Sequence, residues 1–189
     1  MSAFAYPARF SAGSDGRVLV EFVDLPRVAT DGKNLSEAME EAIDALGSDL
    51  SIRLSRREEI PAPSPAKRGQ RLIPVPWWLA PKLALYLAMR DQDTNNSELA
   101  RRLNVDERVV RRMLDPAHET KAEKIQAALA VLGKRLTMEV EDAAWPDPSE
   151  ESDRLKAVRK QTPDPPSPRC RRNTQLRNQT LPNPASLEA

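Results

Sequence analysis

The stretch Ser97 to Leu114, SELARRLNVDERVVRRML, has room for only two short amphipathic helices and a tight turn between them. Leu99, Ala100, Leu103, Val105, Val110 and Met113 fall where a helix-turn-helix buries side chains, and the small Ala100 lets the two helices cross closely. Asn104 occupies the turn position that needs a left-handed backbone. Glycine usually serves there, and asparagine is the next most tolerant type. The second helix, Asp106 to Leu114, then turns Arg108, Arg111 and Arg112 outward.

A helix fits the major groove of B-DNA, and arginine reaches either phosphates or the O6 and N7 edge of guanine. Arginine on an exposed helix also serves solubility, and Asp106, Glu107 and Asp115 dilute the local charge. The buried-position pattern, the asparagine turn and the short spacing together favour nucleic acid. Glu107, at the head of the second helix, is grouped with the three arginines on the DNA-facing side. Asn95 and Glu98 form a capping box ahead of the first helix, placing free backbone amides where a phosphate is held. Asn95, Asn96 and Ser97 therefore join the candidate contacts, although caps occur at helices of every kind.

The formal net charge of +1 hides an uneven distribution. Residues 1–60 carry 7 basic and 11 acidic side chains, residues 61–143 carry 14 and 11, and residues 144–189 carry 8 and 6, giving −4, +3 and +2. An acidic first part and a more basic second part fit two partners of opposite charge, and a single solvated acidic helix accounts for most of the first sum equally well. The one cysteine, Cys170, has no pairing or zinc-site spacing, so a reducing cytoplasm and no cofactor or metal are expected. No apolar run approaches transmembrane length and no signal peptide is recognisable, so no membrane association is expected.

Residues 1–76 read as a small α+β domain. Phe4 to Phe10 and Arg17 to Phe22 are apolar-rich runs around a turn ending in Asp15-Gly16, which predicts an antiparallel hairpin. A short strand around Arg27 to Thr30 should precede an Asp31-Gly32 turn. Asn34 and Glu37 then cap a helix from Leu35 to about Ser51, whose Leu35, Ala38, Met39, Ala42, Ile43, Leu46 and Leu50 form one apolar stripe. Arg71 to Val75 reads as a late edge strand, kept off the sheet centre by Pro74 and Pro76. The predicted order is β-β-β-α-β.

These residues resemble the HicB antitoxin family of bacterial toxin–antitoxin systems. The resemblance is carried by Tyr6-Pro7-Ala8-Arg9-Phe10, Asp15-Gly16, Val20-Glu21-Phe22-Val23-Asp24-Leu25-Pro26, Thr30-Asp31-Gly32, Leu35-Ser36-Glu37-Ala38, Ala45-Leu46 and Ile60-Pro61-Ala62-Pro63-Ser64. It implies a partial ribonuclease H-like fold that has lost catalysis and binds a small basic ribonuclease toxin, HicA. Arg27 stands where family members usually have glycine, which predicts a local difference in the turn. Nuclease work on such a fold needs carboxylates converging on magnesium. Asp15, Glu21, Asp24 and Asp31 fall mainly in turns or at strand ends instead, so the chain is expected not to be an enzyme. Glu21 and Asp24 are the candidate toxin contacts.

Residues 77–142 read as a helical DNA-binding and dimerisation domain. Trp77-Trp78-Leu79 should anchor it, and Pro81 suits the first turn of a helix reaching Asp91, with Leu83, Leu87 and Met89 packed under the motif. Thr120 and Glu123 suggest a cap for a helix from Lys121 to Leu132 ended by Gly133. Leu136, Met138 and Val140 alternate as a strand would. It pairs either with its own domain or across a two-fold axis, the second choice building the homodimer, or higher even oligomer, that reads two half-sites. His118 reads as a turn or surface residue. Residues 143–189 are rich in proline and poor in large apolar residues, which predicts disorder, with Arg169, Arg171 and Arg172 a solvated basic patch.

The expected function is a bacterial cytoplasmic, nucleoid-associated antitoxin that neutralises a HicA-like mRNA-cleaving toxin and represses its own operon by binding operator DNA. A stand-alone helix-turn-helix regulator, with a ligand-sensing or dimerising first domain, is the alternative.

Overall fold

The computed structural model describes residues 4–137. Their fold is α+β, in the order β1 (Ala5–Ala12), β2 (Val18–Phe22), β3 (Ala29–Gly32), α1 (Leu35–Arg56), β4 (Gln70–Pro74), α2 (Ala80–Asp91), α3 (Asn96–Leu103), α4 (Glu107–Leu114) and α5 (Ala122–Val131). The strands form one antiparallel sheet in the order β3-β2-β1-β4, so the proline-bearing β4 is an edge, where a missing N–H costs no ladder bond.

Alternation decides which face α1 covers. Val18, Val20 and Phe22 of β2 are buried while Leu19 and Glu21 are exposed, and the register sets Phe10 against Val20 and Tyr6 against Ile73. Against this face lie Leu46 and Leu50 of α1, both wholly buried, and each contributes about 2 kcal/mol of apolar transfer on the usual scale. The Asp15-Gly16 turn closes as read, with Gly16 at φ 84.

The Asp31-Gly32 turn does not form; both residues belong to β3. Asp31 pairs in register with Leu19 and its carboxylate binds the Arg17 guanidinium, while Gly32 pairs with Val18. A Cβ on Gly32 would lie 2.3 Å from the Ala38 nitrogen, so the position serves close approach of β3 to the start of α1. Arg27 takes no left-handed backbone, and Val28 N–H simply reaches back to the Leu25 carbonyl at 2.8 Å.

Helix α1 begins at Leu35 with the Asn34 cap as predicted, but the return half of the capping box reaches one residue further back, to Lys33. The Asn34 side chain accepts from Glu37 N–H at 2.9 Å, and the Glu37 carboxylate accepts from Lys33 N–H at 2.9 Å. It ends later than predicted, because buried Leu54 continues the four-residue spacing of Leu46 and Leu50 beyond Ser51. Arg57 then closes it in the left-handed conformation, φ 56 and ψ 33. Its N–H reaches the Leu54 carbonyl, and Glu58 N–H reaches that of Arg53.

Helix α2 belongs to two cores. Leu79 ahead of it, with Leu83 and Tyr86, packs into the sheet core, whereas Leu85, Ala88 and Met89 pack with Leu99, Val110, Ile125 and Leu129. This corrects the expected placement of Leu83 and Leu87, which lie on the sheet side. A short stripe shows that a helix is amphipathic without saying which core takes which residue.

The tryptophans do not anchor the second core. Trp77 is 84% exposed, and Trp78 lies against Gly47 of α1, where a Cβ would meet its ring at 3.5 Å. Lys121, not Thr120, is the N-cap of α5, and Thr120 instead donates its hydroxyl hydrogen toward the Arg112 carbonyl. Leu136 lies in no strand, its N–H donating to the Gln126 side chain at 2.9 Å. Met138, Val140, Cys170, Arg169, Arg171, Arg172 and the predicted disordered tail lie outside the described residues.

Candidate nucleic-acid interface

Helices α3 and α4 carry the candidate contacts. Leu99 and Ala100 of α3 and Val110 and Met113 of α4 are buried in the second core, so the opposite sides of both helices face solvent. Between them Asn104 adopts φ 52 and ψ 47, its N–H reaching the Ala100 and Arg101 carbonyls, and Val105 N–H also reaches Ala100 at 3.0 Å. Val105 itself is 38% exposed rather than buried, because the turn directs it past the edge of the core, and Leu103 is only partly covered.

Asn95 caps α3, its side-chain oxygen accepting from Glu98 N–H at 2.8 Å. Glu98 does not complete the box. Its carboxylate receives Arg101 and Arg102 at 2.8 Å, and these bonds hold it well below the carboxylate range, at about 2. Asn96 is buried at the first turn of α3, which leaves it less available to a ligand than the exposed Asn95 and Ser97. Ser97 Oγ donates to Glu107 at 3.0 Å, and Glu107 also binds Arg111 at 2.8 Å, the main cause of its lowered carboxyl pKa.

Asp106 caps α4 by accepting from Arg108 N–H at 2.7 Å. One side of that helix then presents Arg108, Arg111 and Arg112, all exposed. Its C-terminal end is fixed from below. Lys82 of α2, 4% exposed, donates through Nζ to the Asp115 carbonyl at 2.6 Å and to that of His118. Burial lowers the Lys82 pKa, and the charge of Asp115 works against that shift. His118 is thus an exposed turn residue whose backbone, not its ring, has a defined partner.

The acidic candidates separate. Glu21 projects from the sheet face that α1 leaves open, across the register from Arg9 and beside exposed Leu19, while Leu72 is exposed on β4. Asp24 is half-buried, and its carboxylate accepts from Ser64 N–H at 2.8 Å and Ser64 Oγ at 3.1 Å, tying the segment after α1 to the exit of β2. Among the described residues no group of three His, Cys, Asp or Glu side chains is placed to hold a metal ion. No described helix is long and apolar enough to cross a membrane.

Arg57 and Arg90 also face the cleft beside α4. Neither belongs to a sequence pattern with Arg108; only the fold, which sets the end of α1 and the last turn of α2 on the same cleft as α4, reveals them.

A family model described as a HicB-like antitoxin of bacterial toxin–antitoxin systems matches residues 5–84. Antitoxin HicB of Escherichia coli K12 is 35% identical over 133 residues, covering 70% of this chain and 96% of that protein. Antitoxin HicB 1 of Photorhabdus laumondii is 32% identical over 136 residues, covering 72% and 86%, and Antitoxin HicB of Pseudomonas fluorescens is 33% identical over 129 residues, covering 68% and 88%. With relatives matched along most of their own length, the chain belongs to the HicB family of antitoxins of bacterial toxin–antitoxin systems.

Proposed function

We propose that this antitoxin neutralises a HicA-like, mRNA-cleaving toxin by direct binding through the sheet-bearing half, and represses its own operon through α3 and α4 acting as a helix-turn-helix. The observation that carries the DNA reading is the outward row of Arg108, Arg111 and Arg112 on a helix whose other side is locked by Val110 and Met113. A helix so held enters a major groove as a rigid body, with Glu107 near its leading end and Asn95 and Ser97 at the adjacent backbone. Two copies would read half-sites about one DNA turn apart.

For the toxin, the open sheet face supplies Glu21 and the exposed apolar Leu19 and Leu72, a mixture suited to a basic partner. Asp24 acts in this reading through its hold on Ser64, shaping the neighbouring loop.

The test is binding of the full chain to the DNA upstream of its own gene pair, with each arginine of α4 replaced by alanine. Each loss at a base edge is expected to cost about 1–3 kcal/mol. Unchanged affinity in the triple variant overturns the DNA reading. Co-expression with the neighbouring gene tests the toxin reading, by a stable complex with a small basic protein that Glu21→Lys disrupts. No complex, and no rescue of growth, overturns it.

A further inference from the structure

We propose that Arg57, at the end of α1, and Arg90, in the last turn of α2, join the arginines of α4 in a phosphate-binding cleft, so that the sheet-bearing half of the molecule itself grips the DNA backbone. The proposal rests on the DNA reading of α4 and adds to it a contact from the other half of the chain.

The cleft has a volume of about 800 Å³. Five arginines are among its lining residues, Arg57, Arg90, Arg108, Arg111 and Arg112, against one acidic residue, Asp115. The Asp115 carboxylate is already engaged by Ala117 N–H at 2.9 Å. Among the described residues Arg111 alone of the five has a salt-bridge partner, Glu107, and Arg90 stacks over the Tyr86 ring. A concave surface lined by one sign of charge focuses its field, so the ligand that stabilises it is anionic.

Arg57 is the informative member. Its backbone has φ 56, a conformation that glycine or asparagine adopts at less cost, yet an arginine stands there on the wall of the cleft. The charge of Arg57 also helps to lower the Glu107 carboxyl pKa, so its field reaches the start of α4. The cations come from three separate elements. A sugar–phosphate strand offers one anionic group after another to cations drawn from several elements, and this cleft lies beside the helix that would enter the groove.

The experiment measures binding of the full chain to its upstream DNA and to a scrambled duplex over a range of salt concentrations. Arg57→Asn removes the cation while keeping a residue suited to the left-handed backbone, and Arg57→Lys restores the charge. Arg57→Asn is expected to weaken both duplexes equally, roughly tenfold at low salt, and to lower the salt slope by about 0.9; Arg57→Lys is expected to recover both. An unchanged slope in Arg57→Asn, with binding still abolished by the triple α4 variant, overturns this inference and leaves the DNA reading standing. Binding that survives the triple variant overturns both. Loss on the upstream DNA alone makes Arg57 a base reader and overturns its phosphate role. Arg57-dependent binding of tripolyphosphate that does not compete with duplex assigns the cleft to a free phosphate ligand, which also overturns the proposal.

Discussion

Ser97 Oγ donates a 3.0 Å hydrogen bond to Glu107, linking the first turn of α3 to the first residue of α4. Glu107 simultaneously restrains Arg111, so one carboxylate both clasps the two helices and neutralises part of the basic face. Replacement by Gln keeps a hydrogen-bond acceptor for Ser97 and removes the charge that opposes phosphate. Glu107→Gln should therefore bind a scrambled duplex more tightly and with a steeper salt dependence, read by fluorescence anisotropy. Weaker binding on every duplex would show that holding Arg111 matters more than charge.

Lys82 makes a different kind of link, from α2 to the carbonyls of Asp115 and His118 after α4. Lys82→Met fills similar space but leaves the His118 carbonyl without its donor, while the Asp115 carbonyl keeps the His118 N–H at 3.1 Å. The expected cost is about 1–3 kcal/mol in urea unfolding, the usual cost of one polar group left unsatisfied. A cost below about 0.5 kcal/mol would mean that water replaces the ammonium.

What the sequence made legible was local. The Asn34 and Asn95 caps, the left-handed Asn104 and the outward arginines of α4 depend on neighbours within a turn or two, and each stands where residue type alone places it. Features set by tertiary packing were not legible. The α1 terminus depends on Leu54 finding the sheet core and on a left-handed arginine where glycine would have been the signal. Asp31-Gly32 has turn chemistry, but the bond to Arg17 and the approach of Ala38 hold it in β3. The division of α2 between two cores likewise emerges only from the packed chain, as does the placing of Arg57 and Arg108 on one cleft.

Tyr6 is 2% exposed, and its hydroxyl donates to the Pro61 carbonyl at 2.7 Å. Burial, aided by the charge of Asp24, pushes its pKa up to about 12 from the ordinary 10.0. Above pH 10 the unfolded phenol loses its proton while the folded one keeps it, so this contribution to stability falls as pH rises from about 10 towards 12. Tyr6→Phe should cost about 1–2 kcal/mol near neutrality by leaving the carbonyl unpaired. It should also flatten the alkaline decline. An equally steep decline in the variant would trace the effect to another group.

The Glu98 carboxyl lies on the opposite side of the pH scale, at about 2 against an ordinary 4.5, held there first by Arg101 and then by Arg102. Its folded pKa is the lower one. The stabilisation is therefore complete above pH 4.5 and disappears as pH falls through about 2, because the unfolded chain takes up the proton first. Because the group is at the surface, the effect should also shrink with salt. Urea midpoints of the parent chain and Glu98→Gln, compared from pH 6 to 2, should converge as the pH drops. Glu98→Gln retains the Asn95 cap, whose donor is the backbone N–H at residue 98, so the converging part isolates the arginine pairs. A gap that stays constant with pH would assign the cost to helix propensity or packing and remove the ion pairs from the stability of α3.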